Sequence, residues 1–500
     1  MGIVIRQTIK SSIFVYLGVL AGVVNRLYLY PKFMTPEQIG FVGVLFTIGM
    51  VLAQFGMLGS TTTFSKFFQY FREKNLSAVF YFLFVLVSTV GGLLCTAILF
   101  LWKDPLIHVF SKDTEMVYEY FYLIPVLLFL LIYNNVFTLF SHNSLRLTVP
   151  SIFNDFGVKA MTALGVLAYG MQWIDFSTFV LLFVGTFLLA DLGILAYSLR
   201  LFRVRFSTSL SRISAAEYRD LRNYSFFIFV GGLSSSVTAY ADTLMLSSLE
   251  GLSAVGIYSI AFFMGSVIEV PKKAIVSIST PLLSKYWLDN DTAGIEKLYK
   301  QSSINQGIIG LFLLLLLWVN LDELFFFIPD SAVYIQGKYV ALFIGLAKVA
   351  DMFMGVNSEI LRTSRHYYYD LAVTLLFIFV SIGTNFILIP ILKLDGAALA
   401  SFISVFFYNI LRFVILKRLY GFTPFSKESW QLMGLFACLF AVYYGVEWSI
   451  PEVPSYLWAA VSIAAKSLFF GGTALAGIYY LRLSLDFNRT LTAALNRFRK

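Results

Sequence analysis

AVFYFLFVLVSTVGGLLCTAILFLW, residues 78–102, runs for 25 residues without one Asp, Glu, Lys or Arg. About 20 such residues suffice to carry an α-helix through a hydrocarbon core about 30 Å thick. Lipid offers no partner to backbone N–H and C=O groups, so a run of this kind forms a membrane-spanning helix. Working outward in windows of about 19 residues, comparable runs fall at 11–30, 39–61, 116–140, 152–173, 177–200, 224–247, 253–277, 304–328, 338–358, 367–391, 395–416, 430–449 and 456–481. The fold class expected is therefore all-α, a polytopic membrane protein with about 14 transmembrane helices. Composition agrees, because 13% of the residues are charged and 59% hydrophobic, against about 25% charged in soluble domains. The first run, 11–30, is longer than a signal-peptide core and has no small-residue cleavage site before Pro31, so it reads as a retained helix.

Several function classes drop out at this stage. Cys95 and Cys438 both lie in apolar runs, which gives no disulfide framework and no CxxC site. His108, His142 and His366 are scattered between helices, an arrangement that does not assemble a metal site. No GxxxxGK[ST] phosphate loop is present, so ATP hydrolysis in the same chain is not expected. No outer loop has room for a soluble catalytic domain. The chain is expected not to be an enzyme and to need no cofactor beyond a coupling ion, H+ or Na+.

Loop charge sets the orientation. With both termini cytoplasmic, twenty-eight Lys and Arg residues fall inside, among them Lys272, Arg412 and the six arginines of Arg200–Arg222; Lys32, Lys103, Lys112, Lys338 and Lys393 alone fall outside. That asymmetry is the positive-inside pattern. The net charge of +9 follows from it and from contact with anionic headgroups; nucleic acid is not an expected partner.

The chain also resembles itself. Gly18-Val19-Leu20 matches Gly231-Gly232-Leu233, Gly40 stands where Gly256 does, and Ser65-Lys66-Phe67 matches Ser284-Lys285-Tyr286, at offsets of 213, 216 and 219. Leu145-Arg146 parallels Leu361-Arg362, and Asp155 parallels Asp370. The expected organisation is a six-helix bundle over 1–215, a second over 216–425, and two additional helices with a tail over 426–500. Six is even, so both bundles would share one orientation about an axis along the membrane normal, with a cleft between them.

Three segments carry a family resemblance. Thr35–Phe67, TPEQIGFVGVLFTIGMVLAQFGMLGSTTTFSKF, resembles the helix-two signature of the polysaccharide biosynthesis (O-antigen flippase, Wzx-type) family. ADTLMLSSLEGLSAVGIYSIA, Ala241–Ala261, and TNFILIPILKLDGAALASFIS, Thr384–Ser404, are similar to its helix seven to eight and helix eleven to twelve signatures. Over about residues 5–420 the resemblance implies the multidrug/oligosaccharidyl-lipid/polysaccharide exporter fold, two bundles forming a V around a central cavity. It implies a flippase that moves an undecaprenyl-diphosphate-linked oligosaccharide to the periplasmic leaflet of the bacterial inner membrane by alternating access. Membrane lipids, a polysaccharide polymerase and glycosyltransferases would be its partners. The final helix pair departs from many members and matches the lipid II flippases, where such a pair forms a lipid groove. Lipid II flippase, ion-coupled multidrug antiporter and, less well, membrane polymerase remain alternatives.

Ionisable groups within the spans are the site candidates, since each costs about 2.5–3.5 kcal/mol at mid-bilayer unless it faces a cavity or a partner. Arg26 and Asp242 are 216 residues apart, at equivalent places in the two halves. Lys348 and Asp351, at i and i+3, share one helix face and are expected to pair. Lys466 is central in the last run. The expected substrate and cavity contacts are Arg26, Lys348, Asp351, Asp242 and Lys466, the guanidinium and ammonium groups suiting a diphosphate. Asp242, Asp191 and Glu269 are the candidates for ion coupling. Asp155 and Lys159 are expected to neutralise each other, and Asn134 and Asn135 to hydrogen-bond between helices.

Overall fold

The computed structural model describes residues 3–110, 112–143, 146–202, 207–447, 455–484 and 487–489. Arg203, Arg205 and Leu145, used above, lie outside them. Among the described residues there is no strand, and eleven helices are long and apolar enough to cross a membrane. The protein is an all-α, multi-pass membrane protein. Runs 367–391 and 395–416 belong to one 54-residue element, 152–173 opens in a π-turn, and 224–247 lies inside a 36-residue helix.

The chain divides into two compact units, Met1–Gly256 and Ile257–Lys500. In the first unit, α1 (Ile3–Val24) runs into a π-turn at Asn25–Leu29. A capping box starts α2 (Pro36–Gly56): Gln38 N–H donates to Thr35 Oγ1 (3.3 Å) and Thr35 N–H to Gln38 Oε1 (3.1 Å), with proline in the first turn. Then come α3 (Ser60–Glu73), α4 (Ser77–Leu101), α5 (Leu123–His142), a π-turn at Ser151–Gly157, α6 (Val158–Gly170), α7 (Phe176–Phe202) and α8 (Ala215–Glu250). The first unit includes α8, which packs along α2 and α3.

Inside lipid, helices associate through close shape fit and small residues more than through expulsion of water. Glycines mark the tightest crossings. A Cβ on Gly91 of α4 would stand 1.9 Å from the Gly56 carbonyl oxygen of α2, and one on Gly18 of α1 2.0 Å from the Asp155 carbonyl oxygen. The latter approach lets Asn25 Nδ2 donate to the Lys159 carbonyl at 2.8 Å.

The start of α8 is tied to α3. Lys74 Nζ reaches Glu217 Oε1 at 2.7 Å, the Tyr70 hydroxyl donates to the same oxygen at 2.9 Å, and Ser214 N–H donates to Glu217 Oε2 at 2.7 Å. The Lys74 ammonium first, then the Ser214 N–H and hydroxyl, hold the Glu217 carboxyl down at about 2, from an ordinary 4.5. A depressed carboxyl contributes stability that is complete above its unfolded value and is lost as pH falls through the folded one. Between pH 7 and 5 the melting difference between wild type and Glu217→Gln is therefore expected to stay constant, and to shrink only as pH falls from 4.5 toward 2; a thermal-melting series in detergent at stepped pH checks this.

The division between the units falls inside α9 (Leu252–Ser266). The second unit continues with α10 (Val270–Leu288), α11 (Thr292–Val319), the short helix Leu321–Phe326, α12 (Lys338–Phe353), α13 (Tyr367–Tyr420), α14 (Lys427–Glu447), α15 (Tyr456–Lys466) and α16 (Gly472–Tyr480). Lys393, at φ 53° and ψ −122°, breaks α13. The two arms fold back on each other: Thr384 and Ser404 hydroxyls are 3.0 Å apart, the Phe377 and Tyr408 rings 5.1 Å, and a Cβ on Gly396 would stand 2.2 Å from the Leu388 carbonyl oxygen. This is the turn read from TNFILIPILKLDGAALASFIS. The later helices α14 and α15 lie on α11 and on Leu321–Phe326.

Candidate functional site

The second unit gathers most of the intramembrane charge. Here α12 presents Lys348 and Asp351, but they do not pair with each other. Asp351 takes Lys272 of α10 through Oδ2, while its Oδ1 accepts from Asn409 Nδ2 of α13 at 3.1 Å. Asn409 Oδ1 in turn accepts from Asn357 Nδ2 at 2.8 Å. Lys348 Nζ instead meets Glu269 Oε2 at 2.6 Å, in the 3-10 turn Val267–Glu269. Two residues at i and i+3 share a face, yet each side chain leans away from the helix it belongs to, and a neighbouring helix supplies the better-placed counter-charge. Glu269, a candidate for ion coupling, is thus paired with a lysine of α12 and not with Lys272 or Lys273, three and four residues on.

A second pair lies deeper on α13. Arg412 Nη2 stands 2.6 Å from Asp370 Oδ1, with side-chain exposures of 4% and 10%. The guanidinium carbon also sits 4.3 Å over the Tyr408 ring, while Arg412 Nε is buried without a hydrogen-bond partner. Lys272 and Arg412 were counted among the cytoplasmic loop cations. Both are ion-pair members instead, Arg412 buried and Lys272 half-buried; removing two from twenty-eight leaves the loop asymmetry intact. Their signal was present in the sequence, since each falls inside an apolar run, 253–277 and 395–416.

Lys466 of α15 binds Glu323 of the short helix Leu321–Phe326 at 2.5 Å. The same carboxylate oxygen accepts from the Ser462 hydroxyl at 2.6 Å, and its Oε2 is buried with no hydrogen bond. Asn320 Nδ2 donates to the Ser467 hydroxyl at 3.0 Å beside it. Lys466 therefore locks the later helices to the bundle.

In the first unit Arg26 sits in the π-turn Asn25–Leu29 and Asp242 is buried in α8; both are engaged by neighbouring groups. Asp191 of α7 is 4% exposed. Asn134 Nδ2 of α5 donates at 2.8 Å to Asp191 Oδ1 and at 2.9 Å to Asn154 Oδ1, and Asn154 Nδ2 donates to Thr138 Oγ1 at 3.0 Å. Asp191 Oδ2 is buried with no hydrogen bond. The amide bridge between helices is the role expected of Asn134, whereas Asn135 turns back to the Leu131 carbonyl at 2.8 Å. Asn154 lies in a π-turn, a distortion common at functional sites.

The arrangement has two chemical properties. The second unit holds lysines whose carboxylate partners an anion can replace, and the first unit holds a carboxylate with an open oxygen. The structure of the lipid II flippase MurJ, inward closed conformation, is similar with a TM-score of 0.71 at 13% identity, over 95% of this chain and 99% of that one. An inward-facing multidrug resistance MATE family transporter of the MOP superfamily is similar at 0.60 and 15% identity, over 82% and 94%. A MOP superfamily transporter from Pyrococcus furiosus gives 0.58 and 14%, over 84% and 95%. At these identities the likeness establishes the fold. No curated protein matches the sequence. The profile described as polysaccharide biosynthesis protein matches residues 4–287, more than half of the 500, and the chain belongs to the polysaccharide biosynthesis protein family.

Proposed function

We propose that this protein is a flippase that carries a saccharide linked to undecaprenyl diphosphate from the cytoplasmic to the outer leaflet of a bacterial inner membrane, with both termini cytoplasmic. The observation that carries the reading is the pair of displaceable contacts, Lys348 with Glu269 and Lys272 with Asp351. A diphosphate oxygen makes the same charge-assisted bonds to an ammonium group as a carboxylate does. Its arrival at Lys348 frees Glu269, which is then costly inside the membrane until it takes up H+ or Na+. Substrate entry and ion uptake are coupled by that exchange. Asp191, with its open oxygen, is a second ion-binding group. No bond is made or broken in the cargo; glycosyltransferases supply it, and a polymerase consumes it. The two halves, 1–215 and 216–425, are a duplication to which 426–500 was appended.

Translocation of a lipid-linked oligosaccharide by purified protein in vesicles tests this, with efflux of a cationic drug measured in parallel. Loss of a charge-assisted contact is worth about 1.5–3 kcal/mol, so Lys348→Ala and Arg26→Ala are each expected to slow translocation about tenfold or more, with membrane insertion intact. Asp191→Asn is expected to remove the response to an imposed pH or Na+ gradient. Unaltered export in both cation variants, or drug efflux without lipid movement, overturns the reading.

A further inference from the structure

A cavity of about 380 Å³ opens in the first unit, lined by none of the intramembrane charges described above. Its wall is aromatic and aliphatic: Phe64 of α3, Phe80, Leu83 and Phe84 of α4, and Phe226 and Phe229 of α8. Phe64 stacks on Phe84 at 4.4 Å and on Phe80 at 5.0 Å, which makes the floor rigid. The hydroxyls that reach the cavity are occupied. Ser225 Oγ donates to Thr63 Oγ1 at 2.8 Å, and Ser60 and Ser88 hydroxyls are 3.1 Å apart. Gly59, at φ +74°, lets the start of α3 approach α8 closely beside it; a Cβ there would stand 2.2 Å from the Ser225 carbonyl oxygen. Lys66 lies 3.7 Å over the Tyr224 ring, a further contact between α3 and α8.

The cavity has a depth and a charged mouth. On α4 the lining runs from Phe80 to Val87, a rise of about 10 Å at about 1.5 Å per residue, less than half of a hydrocarbon core about 30 Å thick. The cavity therefore serves one leaflet. Arg222 lines its outer end, in the second turn of α8, and Arg219 lies one turn before it on the same face. Both are exposed, and neither takes part in an ion pair among the described residues. The volume lies within the range of about 300–1,000 Å³ typical of small-molecule sites.

We infer that this cavity is a waiting site for the lipid end of the cargo: a polyprenyl chain fills the aromatic slot in the cytoplasmic leaflet, and its diphosphate rests on Arg222 and Arg219. The inference rests on the flippase reading. An apolar slot within one leaflet selects a lipid chain, and two guanidinium groups favour a diphosphate, with its several charged oxygens, over the single phosphodiester of a phospholipid. The site stores the lipid before the saccharide meets Lys348, so the two contacts act in succession.

The test uses a diazirine-bearing polyprenyl diphosphate in vesicles of phosphatidylethanolamine and phosphatidylglycerol, with translocation of lipid-linked oligosaccharide followed in the same vesicles. Light-dependent labelling is expected within residues 80–87 and 221–229. It is expected to fall severalfold in Leu83→Trp, which fills the slot, and in Arg222→Ala, and to persist in Arg222→Lys. The uncharged polyprenyl alcohol is expected to label weakly, and excess phosphatidylglycerol to compete poorly. Labelling that survives Leu83→Trp, or that phosphatidylglycerol erases as readily as unlabelled polyprenyl diphosphate, overturns the site. Translocation by wild type with no labelling here overturns the site and leaves the flippase reading standing; labelling without translocation overturns the flippase reading.

Discussion

Lys272→Met is expected to destabilise the protein severely, and Lys272→Met combined with Asp351→Leu to recover stability but not transport. Asp351 lies against α10 and α13 with its side chain 14% exposed, Lys272 as its ion-pair partner and Asn409 as a weaker donor. Removing one member of a buried pair strands the other charge and costs about 3–5 kcal/mol, whereas replacing both with apolar groups of similar size is often neutral. Asn409 loses one acceptor in the double variant but keeps its bond to the Val405 carbonyl at 3.0 Å. Structural and transport roles thus separate in one experiment. Melting in detergent is expected to return to near wild type in the double variant, while vesicle translocation stays down by about tenfold or more, the equivalent of about 1.4 kcal/mol in the transport barrier. A double variant that is stable and transports at full rate would show the pair to be a brace alone.

Gly91→Ala is the second change with a large expected effect. The added methyl would stand 1.9 Å from the Gly56 carbonyl oxygen, a backbone atom with no rotamer to turn aside, so α2 and α4 must separate. Overpacking of a tight core costs about 1–3 kcal/mol, and this position is expected at the upper end. The adjacent Gly92→Ala meets Phe129 Cε1 at 2.8 Å and Ile132 Cδ1 at 3.1 Å, side chains that can shift, so a smaller loss is expected. Gly185→Ala, with nothing within 4 Å, is the reference and is expected to melt with wild type. Equal melting of Gly91→Ala and Gly185→Ala would contradict the close crossing.

Hydropathy made the spans legible because the bilayer imposes one rule, internal satisfaction of the backbone, on every residue in it. Turn chemistry was legible where it was local: the break at Lys393 sits in the stretch read as a turn, and TPEQ at Thr35–Gln38 spells the capping box that begins α2. Pairing was not legible. Lys272 and Asp351 are 79 residues apart, and Lys348 and Glu269 equally far; their meeting depends on how α10, α12 and α13 pack, which no rule of spacing along one helix encodes. Spacing along one helix therefore joined Lys348 to Asp351, whereas their partners are Glu269 and Lys272. Lys272 and Arg412 were lost because a loop count treats a cation near a helix end as exposed. The cavity beneath Arg222 was invisible for another reason: its wall comes from three helices whose apolar residues look, in sequence, like any lipid-facing surface.

The Glu323–Lys466 contact bears on how the chain is made. The two residues are separated by 143 positions, so during synthesis the carboxylate enters the bilayer long before its ammonium exists. Until α15 arrives, the nascent protein carries this carboxylate without the ammonium it binds in the finished fold. Docking of the last helices completes that pair, which makes completion of translation a checkpoint. A chain halted before Lys466 is not a shorter transporter but an electrostatically defective one, and membrane proteases would find it first.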